Sequence, residues 1–478
     1  MTSACQIGCE LGVARAATPP IAQMRSGTIL AASSVGCCLV FLSGAVINVA
    51  LAAIGRDLGL DAGALQWVLN AELLPLAALT LVGGALGDRY GQKQVFLSGI
   101  ALFGIASFGC ALARGGGQIV CWRLLQGVGE ALILPAGLTI LGQAFPPEHK
   151  GWAVGVWSAS AAVASAIAPA LAGLIVDHGS WRGAFLMQVP LAGLALVLAA
   201  MWAPKAPPSL HVRVDLAAAG LSVAGLGALG WSLMALTSDA VRPLILVVGV
   251  LATIAAFIAL GAVELRRGDR AMLPPALFAG RTVVALSIFT VTLYGAFTAT
   301  LTLVPYVMIK GAHLSALLAG VAFVPLQILV IAVSPLAGVL CARFGRSLPL
   351  AVGALMAGLG CAAALKIDVT AHYWTDVFPA VGLVAVGMSL VVAPMTTLVL
   401  TSVDTLHAAT ASGFNGALSR AGSLSAIALL GGVLQRSGND LIRGFHMAMV
   451  VSAAACVVAA LAAFSIAPTS DPNPVFGL

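Results

Sequence analysis

Four ionisable side chains stand inside long apolar stretches of this chain: Glu72, Arg123, Glu130 and Arg420. A charge at the centre of a bilayer costs roughly 2.5–3.5 kcal/mol on insertion scales, so each needs a partner or a wet cavity. Arg123 and Glu130 are two helical turns apart, which puts them on nearly one face, about 10 Å from each other along the axis. Gln126 falls between them, so a helix here carries a polar stripe of Arg123, Gln126 and Glu130. The stripe is expected to line a central cavity. There a dehydrated Glu130 would take up and release a proton, with the Arg123 charge biasing that equilibrium. Two other readings stay open. Glu72 and Glu130 share the proton-carrying role, or Arg123 simply bonds helix-end carbonyls or Glu72 as structural glue. Glu72 and Arg123 sit at similar distances from the starts of their spans, so they can meet at one depth. Arg420 is expected to be structural, holding helices together in the second half.

The environment of these charges follows from composition. Of 478 residues, 60% are hydrophobic and only 8% charged, whereas soluble domains carry about 25% charged residues to cover a wet surface. In hydrocarbon every backbone group must be bonded within the protein, which leaves helices or closed barrels. The apolar runs last about 20 residues, the length of spanning helices and too long for barrel strands. The fold class is therefore all-α and integral to the membrane.

Several function classes drop out. The net charge of +6 includes no basic stretch denser than Arg266-Arg267-Gly268-Asp269-Arg270, so nucleic acid is not a partner. The nine cysteines form no CxxC pair, which argues against a metal or a disulfide framework. No GxxxxGK[ST] loop and no HExxH pair is present, so neither ATP hydrolysis nor metalloenzyme chemistry is indicated. No cofactor is implied, and the chain is not expected to be an enzyme. The first apolar run, Thr28 to Ile54, is too long for a cleavable signal, and Met24 just before it is an alternative start.

About fourteen apolar segments follow one another, an even number that puts both termini on one side. With the termini in the cytoplasm, about 13 Lys and Arg fall on cytoplasmic loops and tails against about 8 outside, which agrees with the positive-inside rule. Arg89, Lys93, Lys150, Lys205, Arg213, Arg266, Arg267, Arg270, Arg281, Arg343 and Arg346 are all inside. An internal repeat divides the chain: "GALGDRYG" from Gly84 returns as "GVLCARFG" from Gly338, 254 residues later. Two duplicated halves around a midplane cavity are a common transporter design. The expected organisation is a cytoplasmic tail (1–27), a six-helix bundle (28–202), a linker with two extra spans (203–280), a second six-helix bundle (281–467) and a cytoplasmic tail (468–478).

"GALGDRYGQK" (Gly84 to Lys93) resembles the signature loop of the major facilitator superfamily of secondary transporters. "WRLLQGVGEALILPAG" (Trp122 to Gly137), "GSWRGAFLMQVPLA" (Gly179 to Ala192), "ATASGFNGALSRAGSLSAIALLG" (Ala409 to Gly431) and "NVALAAI" (Asn48 to Ile54) resemble its fourteen-helix drug:proton antiporter branch. The resemblance covers nearly the whole chain. It implies two six-helix bundles plus two extra central helices, and a multi-pass protein of a bacterial inner membrane that acts as a monomer. It also implies that Asp88, Arg89 and Gly91, with Arg343 of the repeat, form latches between the halves.

The sequence departs from that branch in places. Leu42-Ser43-Gly44 stands where an acid is usual, and the fifth span keeps only Pro169 and Gly173 of the branch's glycine-proline motif. Pro169 is expected to be structural. Ala342 replaces the usual acid of the second latch.

The function implied is proton-coupled export of hydrophobic or amphipathic small molecules by alternating access. A narrow-specificity metabolite symporter or uniporter of the same fold is the alternative, and a membrane-embedded enzyme or channel the more distant one. Asn48, Gln126, Trp157, Tyr294, Gln327 and Asn415 are the expected substrate contacts, with Phe297 and Phe414 as apolar walls. Glu130, Arg123 and Glu72 are the expected proton-coupling residues, and the partners are the small molecule, protons and the lipid bilayer.

Overall fold

A computed structural model describes residues 20–203, 215–236, 243–268, 281–345, 347–368, 372–401 and 408–466. Lys205, Arg213, Arg270 and Arg346 lie outside the described residues, as do residues 1–19 of the first expected tail and the whole of the second, 468–478. Every regular element among the described residues is helical, which satisfies backbone hydrogen bonds within each segment as lipid requires.

The first bundle comprises α1 (Pro20–Leu58), α2 (Ala62–Tyr90), α3 (Gln92–Leu112), α4 (Gly116–Ala144) and α5 (Pro147–His178). A sixth pass, broken at Met187, is built from α6 (Trp181–Leu186) and α7 (Gln188–Trp202). Next come α8 (Leu216–Leu236) and α9 (Pro243–Arg267). The second bundle runs through α10 (Arg281–Lys310), α11 (Ala316–Val321) with α12 (Val324–Phe344), α13 (Ser347–Ala363), α14 (Phe378–Thr401), α15 (Ala408–Leu429) with the short α16 (Gly431–Leu434), and α17 (Gly438–Phe464).

Among the described residues, twelve helical stretches are long and apolar enough to cross a membrane. The two other expected spans are also helical. One is interrupted between α11 and α12, and the other, α15, is diluted by Ser, Thr, Asn415 and Arg420.

Close crossings use glycine. A Cβ at Gly127 of α4 would lie 2.2 Å from the carbonyl oxygen of Glu72 on α2, so only glycine lets these two backbones touch. Gly91, at φ 98°, makes the turn between α2 and α3. The inserted pair packs asymmetrically: α8 lies against α2 and α15, where Leu226 joins Leu74, Ala77, Ala78 and Leu424. It thus covers one seam between the bundles, while α9 packs on α8 and leaves most of its surface exposed.

The two ends of the molecule differ. Both described termini lie on one face. Toward that face the apolar cores are separate, one confined to residues 29–203 and the other to 285–466. At the far face a single core runs across both bundles, from Ile47, Leu51 and Phe185 to Leu303, Phe323 and Phe445.

Polar contacts reinforce this seal, and in two of them a side chain of the first bundle caps a helix end of the second. Asp177 at the end of α5 accepts from the backbone N–H groups of Ala316 (3.0 Å) and Leu317 (2.7 Å) at the start of α11. Gln66 of α2 donates to the carbonyls of Ile427 (3.0 Å) and Ala428 (2.6 Å) near the end of α15. Between them, α5 and α11 touch through backbone: a Cβ at Gly320 would sit 2.1 Å from the carbonyl oxygen of Pro169, and one at Gly173 2.3 Å from that of Ala316.

Loss of a helix cap costs about 1 kcal/mol, which moves a two-state equilibrium about fivefold. Asp177→Ala is therefore expected to widen the distance between spin labels placed on the far-face ends of the two bundles. Double electron–electron resonance on the full chain reads this as a growing long-distance fraction. An unchanged distribution would mean that the cap does not hold the seal.

Candidate functional site

Arg123 has no exposed surface, and the first bundle is organised around it. Its guanidinium forms an ion pair with Glu72, and its Nε donates to the carbonyl of Val68 at 3.1 Å. One terminal nitrogen donates both to Ser43 Oγ (3.1 Å) and to Gln126 Oε1 (3.0 Å). The Ser43 hydroxyl donates to the second oxygen of Glu72, so the carboxylate is held by an arginine and a hydroxyl. Gln126 extends the network, donating to Ser107 Oγ at 2.9 Å and Gln188 Oε1 at 3.2 Å. Helices α1, α2, α3, α4 and α7 are thereby joined through buried polar groups, every one of them 4% exposed or less. Buried ions persist only when paired and hydrogen-bonded in this way.

The expected polar stripe on α4 is thus divided. Arg123 and Gln126 turn into the bundle, whereas Glu130, two turns further on, reaches the central cavity. Gln126 was expected among the substrate contacts; the structure instead places it inside the first bundle, because Arg123, Ser107 and Gln188 take up its amide. Glu130 is 1% exposed, and its Oε1 has no hydrogen-bond partner among the described residues. It stands beside Glu72 and within Coulombic reach of Arg123 and Arg420.

That cavity, of about 530 Å³, lies at mid-height between the bundles. Phe323 and Leu326 belong both to its lining and to the far-face core, so the seal forms its roof. Asn48, Trp157, Tyr294 and Gln327 all line it, as does Phe297. Trp157 spends its indole N–H on the carbonyl of Ser33 (3.2 Å), and Asn48 accepts from Thr302 of the second bundle at 3.3 Å. Asn415 packs between α15 and α10, accepting from Thr290 Oγ1 at 2.7 Å, and does not line the cavity. Arg420, expected as a clamp between helices, donates to the Gly416 carbonyl of its own helix at 3.1 Å and lines the cavity. Pro169 also lines it, at the α5–α11 contact.

The latch residues lie on the face of the termini. Asp88 accepts from Gln92 Nε2 at 2.8 Å, Arg89 stacks over Tyr90, and Arg343 stacks over Phe344. Each of these contacts stays within its own bundle. Among the described residues, no cluster of His, Cys, Asp or Glu has the makings of a metal site.

Sequence reasoning passed over Ser43, Gln188, Gln66 and Asp177. Ser43 carried the one usable signal, since it occupies the stretch where the resembled branch has an acid.

A family model described as Major Facilitator Superfamily matches residues 34–427 and 286–477. The multidrug resistance protein Stp of Mycobacterium tuberculosis is 30% identical over 411 residues, 85% of this chain and 75% of that protein. The tetracenomycin C resistance and export protein of Streptomyces glaucescens is 29% identical over 420 residues, 86% of this chain and 76% of its own length. The methylenomycin A resistance protein of Bacillus subtilis is 27% identical and covers 91% of this chain and 93% of that one. Among solved structures, an auto-inhibited POT family peptide transporter superposes with a TM-score of 0.68 at 16% identity, covering 94% of this chain and 99% of that chain. The inward-open xylose transporter XylE from E. coli gives 0.67 at 14% identity, covering 94% and 98%.

Breaking a buried ion pair on one side costs about 3–5 kcal/mol, while replacing both partners with apolar groups is often neutral. Arg123→Met and Glu72→Leu are each expected to lower the melting temperature of the detergent-solubilised protein sharply. The double variant is expected to recover most of the loss. Equal, additive losses would show that the two charges do not depend on each other.

Proposed function

Because this chain belongs to the major facilitator superfamily, we propose that it is a proton-coupled exporter of hydrophobic or amphipathic small molecules, of the fourteen-helix drug:proton antiporter branch. The observation that carries this reading is Glu130: a buried carboxyl among the residues lining a cavity shared by both bundles, with one oxygen that has no hydrogen-bond partner among the described residues. A group so placed can exchange a proton with the cavity and can also meet a bound molecule. Glu72 lines the cavity beside it and Arg123 stands behind, both as charges that its protonation feels. The apolar walls formed by Trp157, Phe297, Leu301 and Val330 suit hydrophobic cargo of varied shape. Relatives named for resistance to or export of chemically different antibiotics support drug-like substrates.

The remaining assignments belong to the same reading. Both termini lie in the cytoplasm of a bacterial cell, and the functional units are the bundles 28–202 and 281–467, joined by 203–280. The chain works as a monomer and performs transport rather than catalysis. In that orientation the roofed cavity and the parted cores correspond to an inward-facing state. Export then requires the opposite arrangement, in which the far-face seal opens and the loops around Asp88, Arg89, Gly91 and Arg343 close the cytoplasmic side.

The test is substrate-induced proton release from solubilised protein in weak buffer, with puromycin, tetracenomycin C and methylenomycin A as the panel. Wild type is expected to release about one proton per bound molecule for at least one compound, as linkage at a single carboxyl requires. Glu130→Gln is expected to bind that compound without releasing any, and Glu72→Gln to release less. Binding without proton release in wild type would overturn antiport at this site and favour a uniporter of the same fold.

A further inference from the structure

The ionisable lining of the cavity is split between the bundles: two carboxyls, Glu72 and Glu130, on the first and one guanidinium, Arg420, on the second. Four acidic or basic groups act in or behind it: Glu72, Arg123, Glu130 and Arg420. Glu72 and Arg123 neutralise each other within the first bundle. This leaves Glu130 on α4 and Arg420 on α15, and neither takes part in an ion pair among the described residues. Arg420 has one hydrogen bond, to Gly416 of its own helix, so most of its five donors remain for something else. Glu130 and Tyr294 are the titratable groups within Coulombic reach of it. The other polar lining groups, Asn48, Gln327 and two serines of α5, are neutral.

A lone cation seated at Glu130 would leave Arg420 uncompensated in an apolar cavity, and a lone anion at Arg420 would do the same to Glu130 once that carboxyl has given up its proton. Each arrangement carries the cost of an unpaired charge in a low-dielectric site. One molecule with both signs meets both groups at once.

We propose that the cavity takes a zwitterionic amphipath, with a basic amine set against Glu130 and an acidic group against Arg420. This rests on the reading of the cavity as the transport site, and it names the substrate class. The hydrophobic body lies along Trp157 and Phe297, and the molecule spans from one bundle to the other. Its ammonium and a proton compete for the same carboxylate. Loading from the inside therefore displaces the proton of Glu130, and a proton arriving from the outside displaces the amine.

The probes are three compounds on one hydrophobic frame: 4-phenylphenylalanine (zwitterion), its methyl ester (cation) and its N-acetyl derivative (anion). Binding to the full chain in lipid nanodiscs is measured by calorimetry. The zwitterion is expected to bind about tenfold or more tightly than either relative, since each charged contact is worth roughly one decade. Arg420→Gln is expected to reduce the zwitterion to the affinity of the ester while leaving the ester unchanged. Glu130→Gln is expected to reduce it to that of the N-acetyl compound. Arg420→Lys should keep the preference.

Equal binding of ester and zwitterion to wild type would overturn the proposal, as would absence of zwitterion binding. So would an Arg420→Gln variant that weakens all three alike, which is what a helix-holding arginine predicts. The comparison within wild type stands even if a variant fails to fold. The two readings separate cleanly. A zwitterion preference without proton release removes antiport and keeps the site, whereas proton release by the ester alone keeps antiport and removes the zwitterion.

Discussion

A guanidinium with no exposed surface, in a chain that is 8% charged, imposes its requirements on everything around it. Arg123 needs acceptors at several angles, and they come from three helices: Glu72 and Val68 on α2, Ser43 on α1, Gln126 on α4. Holding those acceptors in place demands that α2 and α4 touch, which is why the α4 backbone at Gly127 rests on the carbonyl of Glu72. The same fixed geometry sets Glu130 against Glu72 at the edge of the network, where both carboxyls line the cavity. The ion pair thus divides two carboxyls of one bundle into one that is held and one whose Oε1 has no partner among the described residues.

The second bundle has no comparable buried pair among the described residues. Its helices meet through hydroxyl and amide contacts, such as Thr290 with Asn415 and Thr298 with Ser423. A bundle held by such neutral contacts leaves Arg420 facing the cavity, with its hydrogen bond made to its own helix. The asymmetry between the halves is chemical more than topological, although the loop repeat at Gly84 and Gly338 shows their common plan.

Much of this was legible in the residues. Long apolar runs identify the spans because lipid allows little else, and the shared depth of Glu72 and Arg123 anticipates their meeting. What periodicity does not supply is the neighbour that a helix face meets. Arg123, Gln126 and Glu130 share one stripe, yet a rotation of a few tens of degrees decides which of them looks inward and which toward the cavity. Asn415 turned to Thr290 for the same reason. Gln66 and Asp177 escaped notice because a polar residue near a helix end is ordinarily a solvated one. Only the packing of one bundle on the other turns them into caps.

Those caps have a consequence for reversibility. Asp177 and Gln66 satisfy backbone groups at helix ends, and water satisfies such groups equally well. The backbone contacts beside them involve Gly173, Gly320 and Pro169, which carry little side-chain surface to dehydrate. Separating the far face therefore exchanges protein partners for solvent without stranding a donor or acceptor. Such a seam leaves the apolar core shared by the two bundles as the contact whose exposure sets the cost of parting.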